Sequence, residues 1–499
     1  MANAQENSLV AAISVFRTFG MKHHRLHLAF LLLLPALLAN VGGVATEGEP
    51  PTSPEVTAAM QLYLDSYKLA GYVAIVADNT GKVHFRNIAG YADVEAKKAM
   101  REDNVFWIAS MTKMFAGASI MRLVDEGKVS LDDPVTKYFP AAPETWQHIT
   151  IRHLLNHTSG IQNHVAVPEF LNLFQTNLEF QPSLTRAEVI KLFFKLPLEF
   201  QPGETWAYSN TGYYLLGIVV EQASGKSFWQ FLDERIFKPL GMTHTRSTDP
   251  RPIIPNRASG YEWQNNSFEN RSVLTPFVAF SAGALLSTAA DLARWDAALY
   301  TETLLKKSSL EQMWASAKTN NGATAPFSYG FGWFIDRYHG HRIVQHSGGT
   351  PGFSSVIYRF IDDRLTVIIL TNHADRIVDQ MAIDIAGMYT PALRRPKESR
   401  DSEPQTTLKL REVLSNLLKG KHDVTLLTPA MNVFLDTATG KAFWQWFASH
   451  GELKRITFSD RERAESIYVR RYKVMLGENE YWVSVTTEAD GRVARVCFW

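Results

Sequence analysis

The chain carries a single Ser-x-x-Lys string, Ser110-Met111-Thr112-Lys113. A serine hydroxyl is a weak nucleophile until a neighbour takes its proton, and a lysine one helical turn later projects from the same face, within reach of that hydroxyl. At a helix start the serine also meets the partial positive charge and unpaired N–H groups of that terminus. A solvated lysine on an ordinary helix is the plainer account of so short a string. Tyr208-Ser209-Asn210 follows a Pro202-Gly203 turn and precedes an apolar helix predicted over residues 213–223. Taken alone, Asn210 reads as a helix cap and Tyr208 as a packing residue. His346-Ser347-Gly348-Gly349 ends a strand-like segment, where glycines either admit a ligand's backbone or make a simple turn.

The elements that must hold these groups can be read from periodicity. Residues 56–67 have helical apolar spacing, residues 71–85 read as two strands around Asn79-Thr80-Gly81, and a helix runs from Ser110 to a stop at Gly127. Strands return at 329–336, 342–346, 354–360 and 365–372, followed by a helix over 378–388. Strands at both ends and helices between them predict an α+β domain over residues 55–390, its antiparallel sheet assembled from both termini with helices segregated against it. The charged, proline-containing segment 391–405 reads as a linker. Beyond it, residues 406–499 predict a small separate α+β domain. Its elements are an amphipathic helix over 408–418, an aromatic one over 441–450, and strands at 453–458, 466–476, 481–487 and 492–499.

Composition narrows the function. The 499 residues include 51 Lys plus Arg and 50 Asp plus Glu, a net charge of +1, and no long basic run, which argues against a nucleic-acid partner. With 45% apolar and 20% charged residues the chain is globular. Its one cysteine, Cys497, excludes an intramolecular disulfide or a cysteine-built metal site, and reads as a small apolar strand residue. No metal or other cofactor is called for. Residues 1–45 read as an export signal: basic Lys22 to Arg25, an apolar run over 26–39 interrupted by Pro35, then small residues before cleavage near Ala45. The run is shorter than the roughly 20 residues of a membrane span, although an uncleaved anchor is the alternative. Met21 stands where a true start would, and residues 46–54 read as a linker. The protein is thus expected outside the cytoplasm, periplasmic or extracellular.

In order and rough spacing, Ser110-Met-Thr-Lys113, Tyr208-Ser-Asn210 and His346-Ser-Gly348 resemble the three motifs of the serine β-lactamase and penicillin-binding-protein superfamily. The likeness is to its class C branch, which includes D-alanyl-D-alanine carboxypeptidases, D-aminopeptidases and β-lactamase-like esterases. Supporting strings are Leu154-Leu-Asn-His-Thr-Ser-Gly160, Phe237-Lys-Pro-Leu-Gly-Met242 and Ser281-Ala-Gly-Ala-Leu-Leu. The resemblance implies an acyl-enzyme on Ser110, with Lys113 or Tyr208 as proton acceptor. It further implies an oxyanion hole of the Ser110 and Gly349 amides, Asn210 orienting the substrate amide, and His346-Ser347-Gly348 lining the site. His346 would stand where many relatives have lysine. A histidine titrating near pH 6.5 holds a substrate carboxylate only in part, so an ester, a peptide lacking that group, or a D-amino-acid derivative is as well supported as a β-lactam.

Two rival chemistries are weak. His153 and His157 stand four apart on a helical stretch but lack the glutamate of a zinc-protease pair, and no Gly-x-Ser-x-Gly elbow is formed around Ser347. The C-terminal domain resembles cone-shaped nuclear-transport-factor-like domains, which implies an accessory role: shielding the site's rim, holding a partner or forming a homo-oligomer. The expectation is therefore an exported serine hydrolase acting on a small-molecule or peptide substrate. The alternative is a penicillin-binding-like sensor or scaffold that keeps the pocket without turning over.

Overall fold

The computed structural model describes residues 53–167, 170, 185–271, 276–323, 325–374, 377–395, 399–464 and 467–498. The export-signal stretch and all of the first linker but residues 53–54 lie outside the described residues.

Helix α1 (Ser53–Ser66) leads into strands β1 (Gly71–Asp78), β2 (Val83–Asp93) and β3 (Lys98–Ala99). Helix α2 (Thr112–Asp125) and helix α3 (Asn210–Ser224) belong to the largely helical middle. The chain then returns through β4 (Phe334–Tyr338), β5 (His341–Thr350), β6 (Phe353–Phe360) and β7 (Leu365–Thr371) to helix α4 (Val378–Tyr389). These strands form one sheet in the order β3-β2-β1-β7-β6-β5-β4. Its centre is the antiparallel pair β1·β7, Ile75 opposite Ile368, so the two ends of the domain close on each other.

Alternate residues of β1 enter different cores because both faces of the sheet are covered. Tyr72, Ala74 and Val76 pack with Val56 and Met60 of α1 and with Met381 and Ile385 of α4. Val73, Ile75 and Ala77 face the helical middle instead, where α2 is buried almost all round. That is why β1 reads as an unbroken apolar run. At roughly 25 cal/mol per Å2 of apolar surface, this two-sided burial supplies the main stabilising term for the sheet.

Several boundaries differ from the sequence reading. The strand expected over 329–336 begins at Phe334, because Gly330 packs against the Met313 carbonyl and Gly332 turns at φ +86°. Strand β5 continues through the glycines to Thr350, so the His346 motif lies within a strand and not at its end. The helix expected from residue 213 starts at Asn210, because the Ser209 hydroxyl accepts the Gly212 N–H and caps it. Ser209 is therefore the cap that Asn210 was expected to be.

The C-terminal lobe contains helices α5 (Pro404–Leu418), α6 (Pro429–Asp436) and α7 (Ala438–Ala448). They accompany the antiparallel meander β8 (Leu453–Ala464), β9 (Ile467–Leu476), β10 (Asn479–Thr487) and β11 (Val493–Phe498). Helix α6 has no counterpart in the sequence reading. The segment read as a linker begins packed: Leu393 is fully buried and Arg395 pairs with Asp384 at 2.6 Å. The lobe's apolar residues join the same cluster as the helical middle. The Phe327 ring meets Phe434 at 5.5 Å and Phe443 at 5.9 Å, while the buried Thr205 hydroxyl donates to the Ala430 carbonyl at 2.6 Å. The Ala438 N–H, at the start of α7, donates to Glu199 at 3.2 Å.

Candidate active site

Ser110 lies in a 3-10 turn, Ala109–Met111, that runs directly into α2. Ala109 holds φ +45°, a left-handed conformation uncommon for a residue with a Cβ, and the Thr112 hydroxyl donates to its carbonyl at 2.7 Å. Helix geometry then brings Lys113 under the serine. Its Nζ donates to Ser110 Oγ at 3.1 Å, to Asn210 Oδ1 at 2.8 Å and to the Ala282 carbonyl at 2.6 Å. Lys113 is fully buried, and among the described residues no carboxylate pairs with it. Burial therefore holds its ammonium well below the ordinary lysine range. Three neutral acceptors match a charged ammonium, while a neutral amine keeps a lone pair for a proton.

Tyr208 crosses this lysine, with Nζ 4.8 Å from its ring centroid. The hydroxyl, the amine and the phenol ring thus converge from segments nearly a hundred residues apart. Asn210, the first residue of α3, turns its carbonyl oxygen to Lys113. One of its amide protons goes to Asn163 Oδ1 at 3.2 Å, and that same oxygen takes the Asn210 backbone N–H at 3.1 Å.

The third motif enters on β5. Gly348 pairs with Ser355 and Gly349 with Ser354 of β6. A Cβ on Gly348 would collide with the Ile108 carbonyl oxygen, and the Ser355 hydroxyl donates to that same oxygen at 3.0 Å. Only glycine lets β5 lie so close to the chain entering Ser110. Ser347 is half-buried beside it.

His346 departs from expectation. It is 1% exposed, its Nδ1 faces the Ser347 carbonyl at 2.6 Å and its Nε2 meets the Tyr329 hydroxyl at 2.9 Å. A carbonyl can only accept, so Nδ1 carries the proton and Nε2 accepts from the tyrosine. Burial, reinforced by the nearby Lys113, pushes the ring down to about 3. At neutral pH it offers a substrate carboxylate no charge, where partial charge was expected.

Other groups of the site escaped the sequence reading. Asn163, Tyr329 and the Ala282 carbonyl all orient its members, yet none carries a local signal beyond the quoted Ser281-Ala-Gly string. Ala282 belongs to the helical segment Pro276–Gly283, which breaks at Phe280 with φ 32°, and the Trp107 indole N–H ties the next carbonyl, Gly283, at 2.6 Å. His153 and His157 do not share a helix. The short helix Ile151–Leu155 ends between them, and His153 Nδ1 instead accepts the Thr150 N–H at 3.2 Å in a reciprocal cap.

Against known proteins, the family model described as Beta-lactamase matches residues 56–387. Penicillin-binding protein 4* of Bacillus subtilis (strain 168) is 32% identical over 386 residues, covering 73% of this chain and 83% of that protein. Among solved structures, a D-stereospecific amidohydrolase from Streptomyces sp. aligns with a TM-score of 0.58 at 27% identity, covering 68% of this chain and 99% of the other. The D-amino acid amidase from Ochrobactrum anthropi SV3, complexed with D-phenylalanine, aligns with a TM-score of 0.58 at 25% identity over the same shares. The family match ends before the C-terminal lobe.

Proposed function

Because the chain belongs to the β-lactamase family and is a serine hydrolase of that kind, we propose that it cleaves esters and amides of D-configured acyl groups through an acyl-enzyme on Ser110. One observation carries the reading: a buried lysine, with no counter-ion among the described residues, hydrogen-bonds the serine hydroxyl at 3.1 Å. In its neutral form the Lys113 amine keeps its two N–H groups on Asn210 and Ala282 and turns its lone pair to Ser110, whose proton it takes as Oγ bonds to the acyl carbon. The negative charge built on the acyl oxygen meets the Ser110 and Gly349 amides. The C–N or C–O bond then breaks, and the leaving group accepts the proton, with Tyr208 alongside to relay it. Water, deprotonated by the same groups, cleaves the ester and restores Ser110.

His346 and the relatives support the choice of substrate class. A neutral imidazole gives no anchor to a carboxylate, which favours substrates without one on either side of the scissile bond. The D configuration is taken from the D-stereospecific amidohydrolase and the D-amino acid amidase. D-phenylalanine amide and D-phenylalanine p-nitroanilide are therefore expected to turn over at least ten times faster than their L forms, and faster than D-Ala-D-Ala peptides. Ser110→Ala removes hydrolysis by roughly 10^4-fold or more. A fluorophosphonate probe should label Ser110, and the penicillin adduct should decay with time. Full hydrolysis by the Ser110→Ala protein, or a permanent penicillin adduct with no turnover of any ester or amide, overturns the reading, the second in favour of a sensor.

We further propose export directed by the signal pattern over residues 22–45. Among the described residues no helix is long and apolar enough to cross a membrane. Amino-terminal sequencing of the secreted protein should begin near residue 46, and retention of the whole chain in the cytoplasm rejects export. Assembly of copies through the C-terminal lobe is proposed with it, read out by the mass of the protein in solution.

A further inference from the structure

Behind the pocket stands His157, which the steps above do not use. Its backbone carbonyl accepts the Ala207 N–H at 3.0 Å, and its Nδ1 accepts the Ser209 N–H at 3.1 Å. One residue therefore holds the amides on both sides of Tyr208. The imidazole also packs against the phenol itself, with centroids 4.4 Å apart, and against Tyr213 at 5.0 Å and Tyr329 at 4.6 Å. It is 1% exposed and its backbone sits at φ 61°, in the left-handed region.

The hydrogen bond dictates the protonation state. A backbone amide only donates, so Nδ1 is bare and the proton sits on Nε2, which is buried with no hydrogen-bond partner among the described residues. An imidazolium would place a proton against the Ser209 amide and break the clasp. The site's other buried histidine, His346, has the opposite tautomer, with Nδ1 as donor to a carbonyl.

We propose that His157 is the positioning residue of the Tyr208 loop: a neutral acceptor whose ring nitrogen and carbonyl together fix where the phenol lies over Lys113. This rests on the reaction proposed above, since a misplaced phenol matters only if Tyr208 serves that chemistry. A displacement of about 1 Å at a reacting group commonly costs on the order of 10^2 in rate.

Two substitutions separate the acceptor from the ring. His157→Asn keeps an oxygen close to the Nδ1 position and tolerates the left-handed backbone, whereas His157→Phe keeps the ring and loses the acceptor. With D-phenylalanine p-nitroanilide, His157→Phe should lose roughly 10^2-fold in kcat with KM within about threefold, and His157→Asn should stay within about tenfold of the parent. The limbs of the pH–rate profile should not move in His157→Asn. Equal losses in the two variants would assign His157 to packing alone and overturn the proposal. So would parent-like kcat in the Phe variant, or a shifted limb in the Asn variant.

Should the Phe variant not fold, His157→Ser, whose hydroxyl is too short to reach Ser209, takes its place with the same expected loss. Nitrogen NMR of the unmodified protein gives a readout apart from activity: a bare Nδ1 and a protonated Nε2 on His157 from pH 5 to 9. A protonated Nδ1 anywhere in that range overturns the proposal. Activity surviving in Ser110→Ala defeats the catalytic reading instead, and leaves the NMR result to decide the clasp.

Discussion

The pocket and the C-terminal lobe both bury basic side chains, and they treat them in opposite ways. Lys113 is surrounded by a hydroxyl, an amide oxygen and a carbonyl, none of them charged. Arg471 in β9, only 2% exposed, is met by Asp460 at 2.6 Å and Glu462 at 3.0 Å, while a further N–H donates to the Arg337 carbonyl across the lobe boundary at 2.8 Å. Neighbouring Arg470 pairs with Glu403 at 2.7 Å. Burial pulls Lys113 down with no opposing charge, whereas the carboxylates around Arg471 outweigh its burial and hold it above the ordinary value. A buried base without a counter-ion holds its proton more weakly than in water. With one it becomes a structural cation, costly to break and inert.

The contrast can be broken most forcefully by giving the pocket a counter-ion. Asn210→Asp sets a carboxylate 2.8 Å from Lys113 Nζ, which should raise the lysine, move the acid limb of kcat/KM upward and cut activity at pH 7 by about 10^2-fold or more. A pH–rate profile checks it, and an unmoved limb would show that Lys113 does not act as the neutral base. The reverse change in the lobe, Arg471→Met, strands two carboxylates and should cost about 3 kcal/mol in denaturant unfolding, while the folded fraction keeps its kcat.

Glu199 gives a smaller, pH-dependent effect at the boundary between the two regions. Burial raises its carboxyl from the ordinary 4.5 to about 7, and it accepts the N–H that opens α7. The native state then keeps a proton that the unfolded chain releases. Stability is complete below the ordinary carboxyl range and falls as pH rises through about 7. Glu199→Gln should flatten that decline in melting temperature between pH 5 and 8 and be the more stable protein at pH 8. Least of all, Cys497, half-buried and with its thiol pushed up to about 12 by desolvation, should react with a thiol reagent at pH 8 more slowly in the folded protein than after unfolding.

Strands and helices with strong periodicity were legible beforehand. The two-sided run of β1 and the helix after Ser110 were both recognisable, because burial writes apolar spacing into the chain. Where backbone conformation decides, periodicity failed: Gly332 at φ +86° delays β4, and the Ser209 cap starts α3 three residues before its apolar face begins. In the site, the pairing of Ser110 with Lys113 was recognisable from residue type and spacing, whereas Tyr208 and Asn210 were expected there only through the family resemblance. The roles of Asn163 and His157 were not legible, since each acts through hydrogen bonds to a segment some 50 residues away. From sequence, His157 could be weighed only as half of a metal pair or as one letter of the Leu154–Gly160 string.

From the amino-acid order alone came the inventory of reactive groups, the α+β class and the pairing of a serine with a lysine one turn on, because these depend on residue identity and short-range geometry. The environment of each group came only with the tertiary structure. Whether Lys113 meets a carboxylate or a carbonyl, and whether His346 faces solvent or Tyr329, depends on which distant segments enclose it. Proton affinity follows solvation and neighbouring charge, and both are properties of the enclosure rather than of the side chain.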